Sequence, residues 1–349
     1  MLSMKKLIIL FHFICLYSFS QEYKNHFDHA IQTRCRVIID NDFGGDPDGL
    51  FQLAHHLLSP TVEIRGIIGS IQYENGFYGY PGNTDYSCKQ ATDLLKTMDL
   101  ADKYLVVKGG EKAFEDILIP RESEGAKIII KEAMRDDTDL PLFVICGAGL
   151  TNIASAYLME PKIAEKLTLV WIGGTEYEGL ASPPPGASKH WEYNTGIDPI
   201  ACQVIYNKSN IPIWQVPRNA YRQALVSYSE LLIKVKNQGK TGKFLMERLD
   251  DLLIRSEKML GEAYVLGDNP LTLLTALQSS WEVDPSSSEY VLKPIPKVDE
   301  KGFFHEQNEG RNIRVYDQLD VRLMFEDLFA KLNLFSNNRG VYKVPVEKN

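Results

Sequence analysis

Two spacings of apolar residues recur along the chain. Residues 37–39 are a β-branched apolar run with the pattern of a buried strand. After a polar turn, Leu50, Leu53, Ala54, Leu57 and Leu58 line one face of a helix that stops at Ser59-Pro60. The pair then repeats. Strand patterns stand at 62–68, 104–108, 141–146 and 167–172; helical patterns stand at 91–98 and 125–135, from the 147–149 glycine turn to 159, and at 200–206. Residues 227–264 read as helical and charged, an outer layer, followed by an apolar helix at 271–277, a strand at 312–316 and a closing helix at 321–332. Strands alternating with helices across short turns predict an α/β fold, a mostly parallel, doubly wound, Rossmann-like sheet with helices on both faces. Residues 73–83 and 181–189 are too rich in Gly, Pro, Ser or aromatic residues for regular structure and read as long loops, the first of them a candidate lid.

The turn after the first strand carries the most chemistry. Asp40, Asp42, Asp46 and Asp48 place four carboxylates within nine residues, which repel one another unless something positive holds them. A hard divalent cation is the economical partner, and the carboxyl end of a strand is where open α/β sheets bind ligands. Two plainer readings compete. The spacing resembles the first nine positions of an EF-hand loop, but Phe51 stands where that loop ends in Glu and a strand precedes it. A solvated acidic turn without metal leaves the repulsion unrelieved.

With 349 residues, 44% of them apolar, the chain can bury a large core as one domain. A net charge of -8 and scattered Lys and Arg argue against a nucleic-acid partner. Residues 1–20 carry the parts of a secretory signal: Lys5-Lys6, an apolar run at 7–16, and Ser18 and Ser20 before Gln21. Cleavage after Ser20 would leave 21–349 as a single domain, secreted or periplasmic, without membrane attachment. Cys35, Cys88, Cys146 and Cys202 have no CxxC spacing and are expected as buried thiols, not zinc or redox ligands. His55 and His56 are expected on the surface or a helix face.

Separated segments, in order, resemble the nucleoside hydrolases, the inosine-uridine-preferring N-ribohydrolase superfamily. The family's D-x-D-P-G-x-D-D-A is similar to the run from Asp40 to Gly49, and G-P-L-T-N-I-A to Gly147-Ala148-Gly149-Leu150-Thr151-Asn152-Ile153-Ala154. M-G-G resembles Ile172-Gly173-Gly174, and E-F-N-x-x-x-D-P-x-A-A resembles the run from Glu192 to Cys202, with Tyr193 in place of the Phe. The Asp of H-D-x-x-A falls on Asp268. The resemblance implies a calcium ion held by Asp42, a second acid of the first loop, the main-chain carbonyl of Cys146, and Asp268. It implies ribose hydroxyls held by an acid of the first loop, Asn83, Glu192, Asn194 and Asp268, with Asp42 activating the attacking water. Two extra residues in the first loop leave Asp46 and Asp48 open between the metal and ribose roles; Asp48 is assigned to the metal and Asp46 to the sugar. Gly267 stands where some members carry the His that protonates the leaving base.

Cleaving an N-glycosidic bond passes through a ribosyl cation-like state, which needs carboxylates, a placed water and help for the departing base. Glu192 and Asn194, two apart, would face one side of an extended segment. Tyr78, Tyr80, His190, Trp191 and Tyr193 are candidates to stack on or protonate the base, against plain loop packing. The expected function is calcium-dependent hydrolysis of small-molecule nucleosides or related ribosides. The alternatives are a calcium-dependent sugar-binding protein without turnover and a hydrolase of another glycoside. A homo-oligomer is compatible with either, and the sequence does not set the subunit count.

Overall fold

Polar turns between apolar runs divide the chain into alternating strands and helices. The computed structural model describes residues 31–257, 261–279 and 287–337; the expected signal at 1–20 lies outside them. In chain order the elements are β1 (Cys35–Asn41), α1 (Asp48–Leu57), β2 (Val62–Gly69), α2 (Thr84–Thr97), β3 (Val106–Lys108), α3 (Glu124–Ala133), β4 (Leu142–Cys146), α4 (Thr151–Met159), β5 (Leu167–Ile172), α5 (Tyr193–Ile197), α6 (Pro199–Gln203) and β6 (Ile213–Val216). There follow α7 (Arg218–Tyr221), β7 (Leu225–Ser227), α8 (Tyr228–Lys234), α9 (Gly239–Ser256), β8 (Ala263–Val265), α10 (Pro270–Ala276), β9 (Glu289–Pro294), β10 (Lys297–Val298), β11 (Phe304–His305), β12 (Asn312–Gln318) and α11 (Val321–Ser336).

Among the described residues, eight strands form one sheet in the order β3-β2-β1-β4-β5-β6-β12-β9. All neighbours are parallel except β12 and β9. Every residue of β1 is buried, as a central parallel strand covered on both faces requires. Val37 and Ile39 join a core with Leu50, Leu94, Leu271 and Leu328, while Ile38 joins one with Ile129, Val144 and Ile153. The sheet is thus doubly wound, as the alternation predicted. From β1 the chain winds outward through β2 and β3, then returns to lay β4, β5 and β6 on the other side. The winding reverses between β1 and β4, which opens a crevice at their carboxyl ends.

Several local expectations change. Residues 227–264 are not continuous helix: β7 and β8 pair antiparallel around α8 and α9. β6 and β9 carried no recognised pattern. α2 begins at Thr84 because Asn83 caps it, its Oδ1 accepting from the Tyr86 N–H at 2.9 Å. His55 and His56 are not on the surface: both are buried. His55 meets Asp327 at 2.8 Å, and His56 sits among Gln52, Thr272 and Thr275 between α1 and α10. The four cysteines are free, three of them buried and Cys88 half-buried. No described helix is long and apolar enough to cross a membrane.

Asp198 shows why its Asp-Pro pair stands there. Its Oδ1 caps α6 by accepting from the Ala201 N–H at 3.0 Å, while Oδ2 accepts from Thr151 Oγ1 at 2.7 Å and the Phe114 N–H at 3.1 Å. One fully buried carboxylate therefore joins α6, the start of α4 and the loop before α3. Asp198→Asn turns one acceptor toward these donors into a donor. It should cost about 1–3 kcal/mol, read as a lower urea midpoint at unchanged slope.

Candidate active site

The crevice holds a cavity of about 260 Å³ at the β1/β4 switch point. The β1–α1 turn supplies Asp42, Asp46 and Asp48, the end of β4 supplies Gly147, and the end of β5 supplies Ile172. The start of α5 supplies Glu192, Tyr193 and Asn194, and the segment before α10 supplies Gly267 and Asp268. The acids expected to converge from distant parts of the chain therefore share one cavity. Tyr221, Phe77, Val265 and the exposed Arg222 complete its lining. Arg222 is the one cation among these residues.

The carboxylates are compensated unequally. Asp268 Oδ2 accepts from Asn41 Nδ2 at 2.9 Å; burial pushes its pKa up to about 7 although this bond opposes the shift. Asp46 Oδ1 accepts from the Tyr264 hydroxyl at 2.6 Å and from the Asp48 N–H at 3.2 Å, and burial pushes it up to about 6. Asp42 and Asp48 are driven well above the carboxylate range, first by burial and next by the charge of Asp268. Asp40, the first acid of the run, lies outside the cavity lining and is held by Ser70 Oγ and by Asn152 Nδ2 at 3.1 Å. Its pKa rises to about 7 through burial.

On the opposite wall, Glu192 and Asn194 do not share one extended segment, contrary to expectation: Glu192 is extended, but Asn194 already lies in α5. Glu192 caps α5, Oε2 accepting from the Thr195 N–H at 3.1 Å and the Gly174 N–H at 3.0 Å, while Oε1 accepts from the Tyr221 hydroxyl at 3.2 Å. Gly174 makes its approach with φ +87°, where a Cβ would meet Gln215 Nε2 at 2.2 Å. Asn194 is fixed by donating Nδ2 to the Ile172 carbonyl at 2.8 Å. Arg218 clamps Glu176 through two bonds, at 2.7 and 2.5 Å, and donates to the Ser188 and Trp191 carbonyls. It thereby holds the 176–191 loop over this wall.

A second cavity of about 670 Å³ adjoins the first, sharing Asp46, Phe77, Tyr193 and Val265 and adding Tyr78, Trp191, Leu252 and Tyr264. Trp191 thus lies on the neighbouring apolar cavity. His190 lines neither: it is exposed and packs on Phe303 with ring centres 5.3 Å apart. Asn83, expected on the sugar, is also outside both linings; it is exposed and its Oδ1 is used in capping α2. Cys146 is buried beside the cavity with its thiol donating to the Ala148 carbonyl, and the adjoining Gly147 forms the wall. Tyr80 faces away, its hydroxyl donating to Asp251 at 2.7 Å. Asn41, Tyr221 and Tyr264 were missed. Asn41 carries no charge in a run read for its charges, and the two tyrosines belong to no motif.

The donor chemistry fits a hard cation. Asp42, Asp48 and Asp268 offer oxygen donors only, the charge of Asp268 raises the pKa of both Asp42 and Asp48, and a nearby positive charge would relieve them. Asn41 Oδ1 is buried without a partner beside them. Among the described residues, no three His, Cys, Asp or Glu side chains are already grouped as a metal shell.

The family model for inosine-uridine preferring nucleoside hydrolases matches residues 37–326. The inosine-uridine preferring nucleoside hydrolase of Crithidia fasciculata is 31% identical over 134 residues, 37% of this chain and 39% of that protein, so the match spans well under half of the relative. A plant nucleoside hydrolase structure superposes with a TM-score of 0.66 at 18% identity, covering 86% of this chain and 99% of that one. The purine-preferring ribonucleoside hydrolase from Gardnerella vaginalis gives 0.66 at 19%, covering 87% and 99%. These two structures establish likeness of fold. With its model matched from the first strand to the last helix, the chain belongs to the inosine-uridine preferring nucleoside hydrolase family.

Proposed function

We propose that this chain hydrolyses the N-glycosidic bond of nucleosides or related ribosides with a calcium ion bound at the acidic end of the cavity. The observation that carries the reading is the convergence of Asp42, Asp48 and Asp268 from two distant segments on one cavity whose far wall presents Glu192 and Asn194. Asp42, Asp48, Asp268 and the Cys146 carbonyl would hold the ion. Of the two loop acids left open by the sequence, Asp46 already has the Tyr264 hydroxyl, whereas Asp48 faces the charges of Asp268, Asp46 and Asp42. When bound, such an ion lowers the pKa of a water in its shell.

The protein groups divide the remaining work. Asp42 accepts the proton of the attacking water and orients it toward the anomeric carbon. Glu192, fixed by three elements, and Asn194, anchored to the end of β5, bind sugar hydroxyls and keep the ring in register. Asp46, placed by Tyr264, adds a further acceptor for the sugar. The acidic lining favours the positive charge that develops on the ribosyl group as the bond breaks. We assign the mature protein to the outside of the cytoplasm on the strength of the 1–20 pattern.

Release of free ribose from a purine and pyrimidine nucleoside panel, with and without chelator, tests this directly. Turnover that disappears in chelator and returns with calcium supports the reading; full activity in excess chelator refutes the metal assignment. If no nucleoside is cut but ribose raises the melting temperature, a sugar-binding protein is the better description. Asp42→Asn should reduce kcat about 100- to 10,000-fold, the range of a lost general base, and undiminished turnover would remove Asp42 from that role. Gly147→Ala probes the packing of the site: its Cβ would meet Asn41 Nδ2 at 2.5 Å and Asp268 Oδ2 at 2.6 Å. The variant should lose at least about tenfold in kcat/KM, at a stability cost of about 1–3 kcal/mol from overpacking.

A further inference from the structure

Tyr193 stands where the two cavities meet and lines both. Three rings hold it: Tyr73, Phe77 and Trp191 pack edge-on against it at centroid distances of 5.0, 5.8 and 6.3 Å. Its main chain is tied as well, the Tyr73 hydroxyl donating to the Tyr193 carbonyl at 2.9 Å. Yet the Tyr193 hydroxyl is closed off from solvent and has no hydrogen-bond partner among the described residues. A buried hydroxyl left unpaired costs about 1–3 kcal/mol, so a position this rigid calls for a partner that arrives with the ligand.

The sugar end of the assembly is acidic and small; the neighbouring cavity is larger and bounded by Phe77, Tyr78, Trp191 and Leu252. A riboside seated with its sugar among the carboxylates places its leaving group across the junction, on the apolar side. Gly267 brings no side chain to the first cavity, and His190 is turned onto Phe303 outside both. Among the described residues, no His or Lys lines either cavity.

We propose that the Tyr193 hydroxyl donates a hydrogen bond to the departing base and makes this chain selective for ribosides whose leaving group gains negative charge as it departs. The inference rests on the N-riboside reading above. As the C1′–N bond breaks, its electron pair moves onto the base and the O–H of Tyr193 stabilises that charge without giving up its proton. Water supplies the hydroxyl to C1′, and the released base takes its proton from solvent.

The test compares guanosine with 7-methylguanosine, whose base carries a positive charge before cleavage and leaves neutral. In Tyr193→Phe, kcat for guanosine should fall about 10- to 100-fold, the scale for a lost donor to a developing anion, and the ratio of kcat for 7-methylguanosine over guanosine should widen at least tenfold. Tyr73→Phe, which keeps the packing ring but removes the hydroxyl tie to the Tyr193 carbonyl, should slow both substrates alike and leave that ratio within twofold. A ratio unchanged in Tyr193→Phe, with wild type cleaving both substrates, overturns the role of Tyr193 and leaves the hydrolase reading intact. If wild type cleaves neither, the proposal falls together with that reading.

Discussion

Repulsion among buried carboxylates is the constraint to which the rest of this structure answers. Asp40, Asp42, Asp46, Asp48, Glu192 and Asp268 stand around the point where the winding of the sheet reverses, and the lining of the main cavity offers one exposed arginine in return. The fold distributes neutral donors instead. Asp40 receives Ser70 and Asn152, Asp46 receives Tyr264, and Glu192 receives two main-chain amides and a phenol. Asp42 and Asp48 receive little beyond the local main chain, such as the Gly49 N–H on Asp48 at 2.8 Å. The uncompensated charge is therefore concentrated on the acids that face Asp268, where a cation gains most.

That pattern also explains the uncharged residues of the turn. Asn41 sits on the end of β1 between Gln52 and Asp268, donating to both. An aspartate there would add a like charge within hydrogen-bond distance of Asp268; an apolar residue would leave the Asp268 oxygen unpaired. Gly49 and Gly147 pack against the Asn41 side chain so closely that an added Cβ would fall within 3 Å of it. Small residues and one amide thus fix Asp268, an acid more than two hundred positions away in the chain.

How much of this was readable in the sequence depends on whether a signal is local. The run 37–39 and the helix after it announce a buried strand and its covering helix, because parallel central strands are apolar on both faces. β6 gave no such signal: Ile213–Val216 is four residues long and follows one irregular helical turn at Val204–Lys208. In 227–264, α8 and α9 share the charged periodicity that hid β7 and β8 at their ends. In the site, Asp42, Glu192, Asn194 and Asp268 were visible as motif residues. Their supporting groups were not, since Tyr264 reaches Asp46 across 218 positions and Tyr221 reaches Glu192 across 29. Asn83 and Glu192 show the converse limit: residues singled out for polar chemistry also cap helices, which spacing alone does not separate.

The two loops that wall the cavities are tied down by different physics. Arg218 and Glu176 form a buried two-bond ion pair, with side-chain exposures of 9% and 2%, and the same guanidinium holds by two carbonyls the 176–191 loop that brings Trp191 to the second cavity. Breaking such a pair by removing one partner costs about 3–5 kcal/mol, so that wall behaves as part of the framework. The 73–83 loop is held through Tyr80, whose ring lies between the Arg248 and Arg255 guanidinium groups at 4.5 and 4.6 Å while its hydroxyl reaches Asp251. Asp251 and Arg255 are both more than 40% exposed, and solvent screens contacts of that kind. Phe77, carried by this loop, lines both cavities, so their shared boundary rests on the weaker of the two attachments. The second cavity therefore has one wall, at Trp191, tied through a buried ion pair, and another, at Phe77, tied by screened contacts that can rearrange around occupants of different size.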